Sequence, residues 1–211
     1  MSVERGTGQR IHPPTPGAAA GPGDGIVRLA GLALAAGPLI WAAGQFTSGA
    51  PDPTSDEVPP IELAAGCAFI VGLAALAGLM LATRATGDRK GKALPIIALV
   101  LFPFAIATSL GSLPYETYSE TPLWVQATDP AWPLSQITML ACAIAVIRVA
   151  RWKGPLRFLP LAGSLWLLVS GVGEAVTSVQ TGTYIFTAWM AFTYVAAGLL
   201  LLTKPGAARG L

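Results

Sequence analysis

The chain contains 211 residues, of which 53% are hydrophobic and 11% are charged, and its formal net charge is +2. Because soluble domains carry roughly 25% charged residues, this composition excludes an ordinary soluble domain. The small net charge argues against a nucleic-acid-binding surface. One histidine and two cysteines argue against a bis-histidine haem, a histidine zinc site and a disulfide framework. We therefore expect no metal and no cofactor.

Six apolar runs are each long enough to cross a membrane as a helix, which needs about 20 mainly apolar residues. They cover residues 26–48, 61–83, 93–113, 131–150, 158–178 and 183–203. We predict an all-α fold, namely a polytopic integral membrane bundle of six transmembrane helices over residues 25–204. The first run is longer than the apolar part of a signal peptide, so we interpret it as a span.

The two ends of the chain differ from the spans in composition. Residues 1–24 are rich in Gly and Pro and lack hydrophobic periodicity, which predicts a disordered cytoplasmic tail. Residues 205–211 are expected to form a short second cytoplasmic tail. Neither segment is long enough to form a separate soluble domain.

All thirteen Lys and Arg residues lie in the tails, at the start of the first run, or at and after the ends of the second, fourth and sixth runs. The other connections contain none. Since cytoplasmic loops are enriched in Lys and Arg, this asymmetry predicts a plasma-membrane protein with both termini in the cytoplasm. The basic clusters would lie beside anionic headgroups, so the lipid bilayer is the first expected partner.

The three external connections differ in length and character. Residues 49–60 carry Asp52, Asp56 and Glu57 among four prolines. Residues 114–130 interleave aromatic and acidic side chains, which predicts a packed structure such as a short interfacial helix or a lid. Residues 179–182 are interpreted as a tight turn between antiparallel spans. Two prolines, Pro38 and Pro103, lie inside spans and are expected to kink them.

A faint internal similarity links the first two spans with the last two. Residues 29–31 and 161–163 both read Leu-Ala-Gly, at the start of the first and fifth spans. The second and sixth spans close with Leu-Ala-Thr-Arg (81–84) and Leu-Leu-Thr-Lys (201–204). The pattern fits either a parallel duplication or chance, and chance is favoured because spans rich in Ala and Leu align easily.

A single acidic residue, Glu174, lies well inside a predicted span. A rise of about 1.5 Å per residue places it roughly 6 Å below the outer end of the fifth span, and Gln45 and Gln136 fall at a similar depth. Intramembrane ionisable residues are costly and are functional candidates by default. No Lys or Arg is available on that side to neutralise Glu174, which suits a proton donor.

Tryptophan residues accompany these polar side chains at the spacing of one helix face, because residues four apart share a face. Glu62, at the start of the second span, and the long loop would roof the same region. We predict one outward-opening pocket with Glu174 and Glu62 as catalytic candidates. Its predicted substrate-binding residues are Trp41, Gln45, Trp132, Gln136, Trp166, Ser170, Trp189, Tyr118 and Asp129.

Simpler interpretations exist for each group of residues. Trp and Tyr are enriched at membrane interfaces without any functional role. A Gln in a span often only bonds a neighbouring helix. The acids of the loops, Glu62 and Asp129 included, are most simply solvated charges. Glu174 is the residue for which a functional role is favoured over a structural one.

Residues 129–136 (Asp-Pro-Ala-Trp-Pro-Leu-Ser-Gln), 151–161 (Arg-Trp-Lys-Gly-Pro-Leu-Arg-Phe-Leu-Pro-Leu) and 37–44 (Gly-Pro-Leu-Ile-Trp-Ala-Ala-Gly) are similar to small polytopic membrane proteins common in actinobacteria. This resemblance covers most of the membrane region and implies fold and localisation but no activity. The chain also resembles, more weakly, small membrane-bound terpene cyclases. That likeness rests on size, a Trp-lined helical bundle and membrane carboxylates such as Glu62 and Glu174, and it assigns no residue roles.

The leading functional hypothesis is an outward-opening pocket for a hydrophobic small molecule such as an isoprenoid or a lipid. Its enzymatic form is an acid-catalysed terpene cyclase or a related lipid-modifying enzyme, with Glu174 as the acid. Trp41, Trp166 and Trp189 would then shape the cavity, since aromatic faces stabilise cations by about 0.5–2 kcal/mol each. The alternative is an accessory or scaffold subunit with a membrane protein partner. A transporter component is disfavoured, because the inner half lacks polar residues.

Overall fold

The computed structural model describes residues 21–48, 56, 57 and 59–210. Within these ranges the fold is all-helical, as predicted, with one isolated antiparallel bridge between Glu57 and Thr117. The α-helices are α1 (Asp24–Ser48), α2 (Pro60–Ala82), α3 (Ala93–Ser112), α4 (Leu123–Thr128), α5 (Ala131–Val149), α6 (Leu159–Ser164), α7 (Trp166–Val176) and α8 (Val179–Thr203). Short 3-10 helices cover Lys90–Lys92, Tyr118–Glu120, Gly154–Arg157 and Pro205–Arg209.

Five helical segments are long and apolar enough to cross a membrane. They are Asp24–Ser48, Pro60–Ala82, Lys90–Ser112, Leu123–Val149 and Val179–Thr203. They coincide with five of the six predicted spans. Most of the observed helix ends lie within a few residues of the predicted ends. The composition and these helices together define a helical membrane protein.

The fifth predicted span, residues 158–178, is divided into α6 and α7 at Leu165. Contacts from α8 accompany the break. The Trp189 indole N–H donates to the Ala162 carbonyl at 2.8 Å, and the Tyr194 ring packs directly on Gly163. The Ala162 carbonyl next to the break therefore has the Trp189 indole as its hydrogen-bond donor. This contact reduces the number of backbone groups that the interruption leaves unpaired. Hydropathy alone gave no sign of this interruption.

The helices form a ring in chain order. α1 packs on α2, α2 on α3, α3 on α5 and α5 on α6, while α6 and α7 both pack on α8. The ring closes because α8 returns to α1. Helices that follow one another in the chain are therefore neighbours in space. The connections between them lie alternately at the two opposite ends of the bundle.

Glycines allow the closest approaches within the ring. A Cβ atom added to Gly37 of α1 would lie 2.4 Å from the Ala68 carbonyl oxygen of α2. One added to Gly198 of α8 would lie 2.5 Å from the Gly31 carbonyl oxygen of α1. Small residues let membrane helices pack backbone to backbone, so α1 is held tightly on both of its sides.

Six aromatic rings form a continuous set of contacts across the bundle, which we call the aromatic cluster. In order of contact they are Trp132, Trp166, Phe186, Trp41, Phe69 and Tyr194, with successive ring centroids 5.5–6.1 Å apart. These separations suit offset and edge-to-face packing. The cluster joins α1, α2, α5, α7 and α8 in the middle of the fold.

Several local predictions are refined by the structure. Residues 179–182 are the first turn of α8 rather than a loop, because Ser178 caps that helix by accepting the Thr181 backbone N–H at 3.2 Å. α1 and α3 continue through Pro38 and Pro103. The long external connection contains the short helix α4. Most of the predicted N-terminal tail lies outside the described residues, and α1 already begins at its last residue, Asp24.

Candidate binding site at the acidic end

The charged side chains divide the bundle into two chemically different ends. The end carrying Asp56, Glu57, Glu62, Glu116, Glu120, Asp129 and Glu174 is called the acidic end. The opposite end, called the basic end, carries Arg84, Arg89, Lys90, Lys92, Arg148, Arg151, Lys153, Arg157, Lys204 and Arg209 with Asp24 and Asp88. No Lys or Arg occurs in residues 29–83, 93–147 or 158–203, so the acids of the acidic end have no cationic residue nearby in sequence.

Two external segments are bound to each other at the acidic end. The Asp56 carbonyl accepts the Tyr118 backbone N–H at 2.9 Å, and its carboxylate accepts the Ser119 N–H at 3.0 Å. Hydrogen bonds from Ser119 lower the pKa of Asp56 below its usual value. The bridge between Glu57 and Thr117 continues this pairing. The connection before α2 therefore holds the long connection over the helix ends.

A cavity of about 320 Å³ lies beneath this junction. Its lining residues come from the two connections and from α2, α3 and α5. They are Glu57, Pro59, Leu63, Thr108, Ser109, Ser112, Tyr118, Asp129 and Trp132. Ligand sites commonly have volumes of about 300–1,000 Å³, so the cavity is large enough for a small organic molecule.

The α3 wall of the cavity presents hydroxyl oxygens. Ser109 donates to the Ala105 carbonyl at 3.2 Å and Ser112 to the Thr108 carbonyl at 2.9 Å. Thr108 Oγ1 lies 2.8 Å from Thr128 Oγ1. Because the serine hydrogens are directed to helix carbonyls, their oxygens remain available as acceptors. Together with the Glu57 and Asp129 carboxylates, this wall suits a ligand that donates hydrogen bonds.

Tyr118 and Asp129 act together at the rim of the cavity. Burial raises the pKa of the Tyr118 phenol, and the neighbouring Asp129 carboxylate, which accepts its hydrogen bond, raises it further. Tyr118 therefore stays neutral and keeps its proton on the side facing Asp129. The other lining residues, Pro59, Leu63 and Trp132, are apolar.

A second polar pair lies where α1 meets α2. The Gln45 side chain, which is only 5% exposed, hydrogen-bonds the Glu62 carboxyl. Glu62 is partly exposed and directly precedes Leu63 of the cavity lining. Ala65, one turn further along α2, packs against Gly44 of α1. The pair is thus held by close helix packing beside the cavity.

The other predicted binding residues fall into two groups. Trp41 and Trp166 belong to the aromatic cluster, together with Trp132 of the cavity wall. The Trp166 indole Nε1 is buried and has no hydrogen-bond partner among the described residues. Gln136 is buried on α5 and reaches the Ser135 hydroxyl at 3.3 Å.

Glu174, the acid favoured from sequence, is exposed on α7. Its carboxylate accepts the Ser170 hydroxyl of the same helix at 2.7 Å, and its side chain packs beside Gly182. Neither Glu174 nor Ser170 lines the cavity. Trp189 is 41% exposed, and its indole N–H is already donated to the Ala162 carbonyl. The structure therefore brings Tyr118, Asp129 and Trp132 together in one cavity and leaves Glu174, Ser170 and Trp189 outside it.

Sequence reasoning missed most of the cavity lining. It did not assign to the pocket the hydroxyl-bearing side chains of α3 or the residues Glu57, Pro59 and Leu63. The available signal was the spacing of Thr108, Ser109 and Ser112, three small polar residues within five positions at the outer end of the third span. Within the ranges that the structure describes, no group of three or more His, Cys, Asp or Glu residues could hold a metal ion.

Comparison with protein-family models, with curated proteins and with solved structures gave no match.

Proposed function

We propose that this chain is a plasma-membrane protein that binds a small amphipathic molecule, of the isoprenoid or lipid kind, in the cavity at the acidic end. The cavity itself is the observation on which the proposal rests. Its lining combines apolar side chains, Leu63 and Trp132, with hydroxyl and carboxylate side chains. An apolar body with a hydrogen-bond-donating or cationic head is complementary to such a mixed lining.

The membrane topology is part of the proposal. The divided helix pair α6 and α7 crosses the membrane as the fifth of six spans, so that both termini lie on the cytoplasmic side. The clustering of Lys and Arg at the basic end supports this orientation. The acidic end, and with it the mouth of the cavity, then faces outward, where a ligand enters from the outer leaflet or from solvent.

The test fills the cavity without altering its charges. Leu63→Trp places a bulky ring in the cavity, whereas Val71→Trp adds the same ring to a 52% exposed position of the same helix. Small molecules that copurify with each protein in mild detergent are identified by mass spectrometry. We expect Leu63→Trp to lose a hydrophobic species that the wild type and Val71→Trp retain.

Equal retention by Leu63→Trp and Val71→Trp, at equal yield of folded protein, would overturn the binding proposal. Failure of both variants to accumulate would point to bulk on α2 as the cause. Ser109→Ala then serves as the second variant. It keeps the volume of the wall but removes one hydroxyl, and it should weaken retention without affecting the fold.

Acid catalysis by a carboxyl group outside the cavity lining is the second candidate function. The contact of Trp132 with Trp166 connects the cavity wall to the aromatic cluster, whose faces could stabilise a carbocation. Glu62 and Glu174 remain the candidate acids. Glu62→Gln and Glu174→Gln, each compared with wild type by metabolite profiling of producing cells, separate the two functions. An enzyme loses a product but keeps its copurified ligand, whereas a binding protein or a scaffold subunit shows no product to lose.

A further inference from the structure

A second cavity, of about 400 Å³, lies at the basic end of the bundle, away from the proposed ligand site. Three segments that are far apart in sequence enclose it: the end of α2, the connection after α5, and the C-terminal 3-10 helix. Its lining residues are Thr83, Ala150, Arg151, Lys153, Ala208, Arg209 and Gly210. Three of these seven carry a positive charge and none carries a negative one.

The walls of this cavity are firmly connected. Trp152, which is 1% exposed, donates its indole N–H to the Thr83 hydroxyl at 3.1 Å. The Lys153 backbone N–H donates to the Ala207 carbonyl at 3.0 Å. Ala150 ends α5 in the left-handed region, with φ of 58°, which turns the chain sharply into the cavity wall. The cationic side chains therefore project from a preformed frame.

Acidic residues at the edge hold two of the cations in place. The Asp88 carboxylate accepts hydrogen bonds from both terminal nitrogens of Arg151, at 2.8 and 3.3 Å. The Arg84 carbonyl accepts a further hydrogen bond from Arg151 at 2.9 Å. Asp24 of α1 pairs with Arg209. Bidentate contacts fix the plane of a guanidinium group. These carboxylates position the arginines but do not line the cavity.

The charges of the cavity are not balanced by these pairs. Lys153 is exposed and forms no salt bridge among the described residues. An anion held beside Lys153 and the two arginines would neutralise the remaining charge.

We propose that the basic-end cavity binds a phosphate group, supplied by an anionic lipid headgroup or by a soluble phosphate compound. Arg and Lys are the side chains that bind phosphate most strongly, Arg through its fork of donors and Lys as a point charge. The cavity lies at the ends of α2, α5 and α8. In the proposed topology, on which this step rests, these ends face the headgroups of the inner leaflet. Basic pockets between membrane helices commonly bind lipid phosphates.

The test uses the full-length protein in nanodiscs of phosphatidylcholine, with or without phosphatidylglycerol. Lys153→Gln removes the unpaired cation while its backbone contact remains. Lys90→Gln removes an equal charge at the same end but outside the cavity. Retained phosphatidylglycerol is counted by native mass spectrometry. We expect the affinity of Lys153→Gln for phosphatidylglycerol to be about tenfold lower than that of wild type, equal to about 1.4 kcal/mol. The affinity of Lys90→Gln should be close to that of wild type, and Lys153→Arg should restore binding.

A second arm identifies the source of the phosphate. Thermal unfolding in pure phosphatidylcholine nanodiscs is followed with added inorganic phosphate and with chloride at the same ionic strength. Stabilisation of wild type but not of Lys153→Gln by inorganic phosphate indicates a soluble ligand, and an effect of phosphatidylglycerol alone indicates a headgroup. Equal behaviour of Lys153→Gln and Lys90→Gln in both arms would overturn the proposal.

Discussion

The two ends of this bundle hold their carboxylates in opposite ways. At the basic end Asp88 and Asp24 each pair with a guanidinium group, that of Arg151 and that of Arg209. At the acidic end two carboxylates are bonded to neutral donors instead. Asp56 accepts a backbone N–H, and Glu174 accepts a serine hydroxyl. The salt bridges found among the described residues therefore lie at the basic end.

The difference shows how charge and cavity chemistry are linked in this fold. An excess of cations surrounds a cavity without carboxylates at the basic end, and an excess of acids surrounds a cavity without cations at the acidic end. Opposite charges attract with little screening where water is sparse. The basic end is therefore suited to anions, and the acidic end is suited to cationic or hydrogen-bond-donating ligands.

The largest expected effect comes from breaking the framework that both ends share. In Gly37→Val the new side chain would meet the α2 backbone at Ala68, whereas Gly78→Val on α2 has nothing within 4 Å of its Cβ position. We expect Gly37→Val to destabilise the bundle by about 3 kcal/mol, the upper end of the usual cost of overpacking, and Gly78→Val to be nearly neutral. Thermal unfolding in detergent measures both. If Gly37→Val melts like Gly78→Val, α1 does not pack on α2 as described.

The stability contributed by carboxylates at the two ends should depend differently on pH and salt concentration. Hydrogen bonding to Arg151 lowers the pKa of Asp88, and hydrogen bonding to Ser119 lowers the pKa of Asp56. A carboxyl whose pKa is lower in the folded state stabilises that state above its ordinary pKa of 3.8. This contribution is lost as the pH falls through the folded value.

Salt screens the charge pair of Asp88 more than the backbone contact of Asp56. Unfolding temperatures of Asp88→Asn and Asp56→Asn are compared with wild type across an acid series, at low and high salt. The difference between Asp88→Asn and wild type should shrink in high salt, and that for Asp56→Asn should persist. An equal salt response of both variants would contradict the distinction between the ends.

A smaller effect is expected at the rim of the acidic cavity. Burial first, and then the Asp129 charge, raises the pKa of Tyr118 above 10. Its neutral form therefore contributes stability that is present below pH 10 and is lost as the pH rises through the folded value. Asp129→Asn should lower the pKa of Tyr118 but not restore it fully, because burial remains. Phenolate absorbance measures this, with Tyr118→Phe as the blank, and an unchanged titration would show that the two groups do not interact.

The smallest effect is expected for Glu174→Gln. The carboxylate is exposed and bonds only within its own helix among the contacts described above, so stability should change by less than about 0.5 kcal/mol. Copurified ligand should be retained, whereas Asp129→Asn, on the cavity wall, should weaken its retention. Loss of a hydrophobic product from cells that make normal amounts of Glu174→Gln would instead identify Glu174 as a catalytic acid.

Hydropathy was sufficient to locate the long helices, because a bilayer requires about 20 apolar residues in a row and few other segments satisfy that condition. The break at Leu165 could not be predicted in the same way. The Trp189 and Tyr194 contacts that accompany it come from α8, which is distant in sequence. Interruptions of this kind depend on tertiary contacts rather than on local composition.

The sequence pointed to part of the acidic cavity, since Tyr118, Asp129 and Trp132 all lie on it. The structure places Glu174 outside this cavity. The four-residue spacing assigned Trp166, Ser170 and Glu174 to one helix face, but eight residues beyond Trp166 correspond to a rotation of about 80° around the axis. Trp166 packs into the aromatic cluster, while Glu174 lies on an exposed side of α7. Depth and spacing alone do not determine which side chain faces the cavity.

The proposed topology places the acidic and basic ends on opposite sides of the membrane, with the acidic end outside. The most direct measurement introduces Ser119→Cys or Lys90→Cys, both exposed positions, into a chain whose Cys67 and Cys142 are replaced by alanine. Cells are treated with a membrane-impermeant maleimide. The account predicts labelling of Ser119→Cys in intact cells, and of Lys90→Cys only after permeabilisation. The reverse pattern, or labelling of both in intact cells, would contradict it.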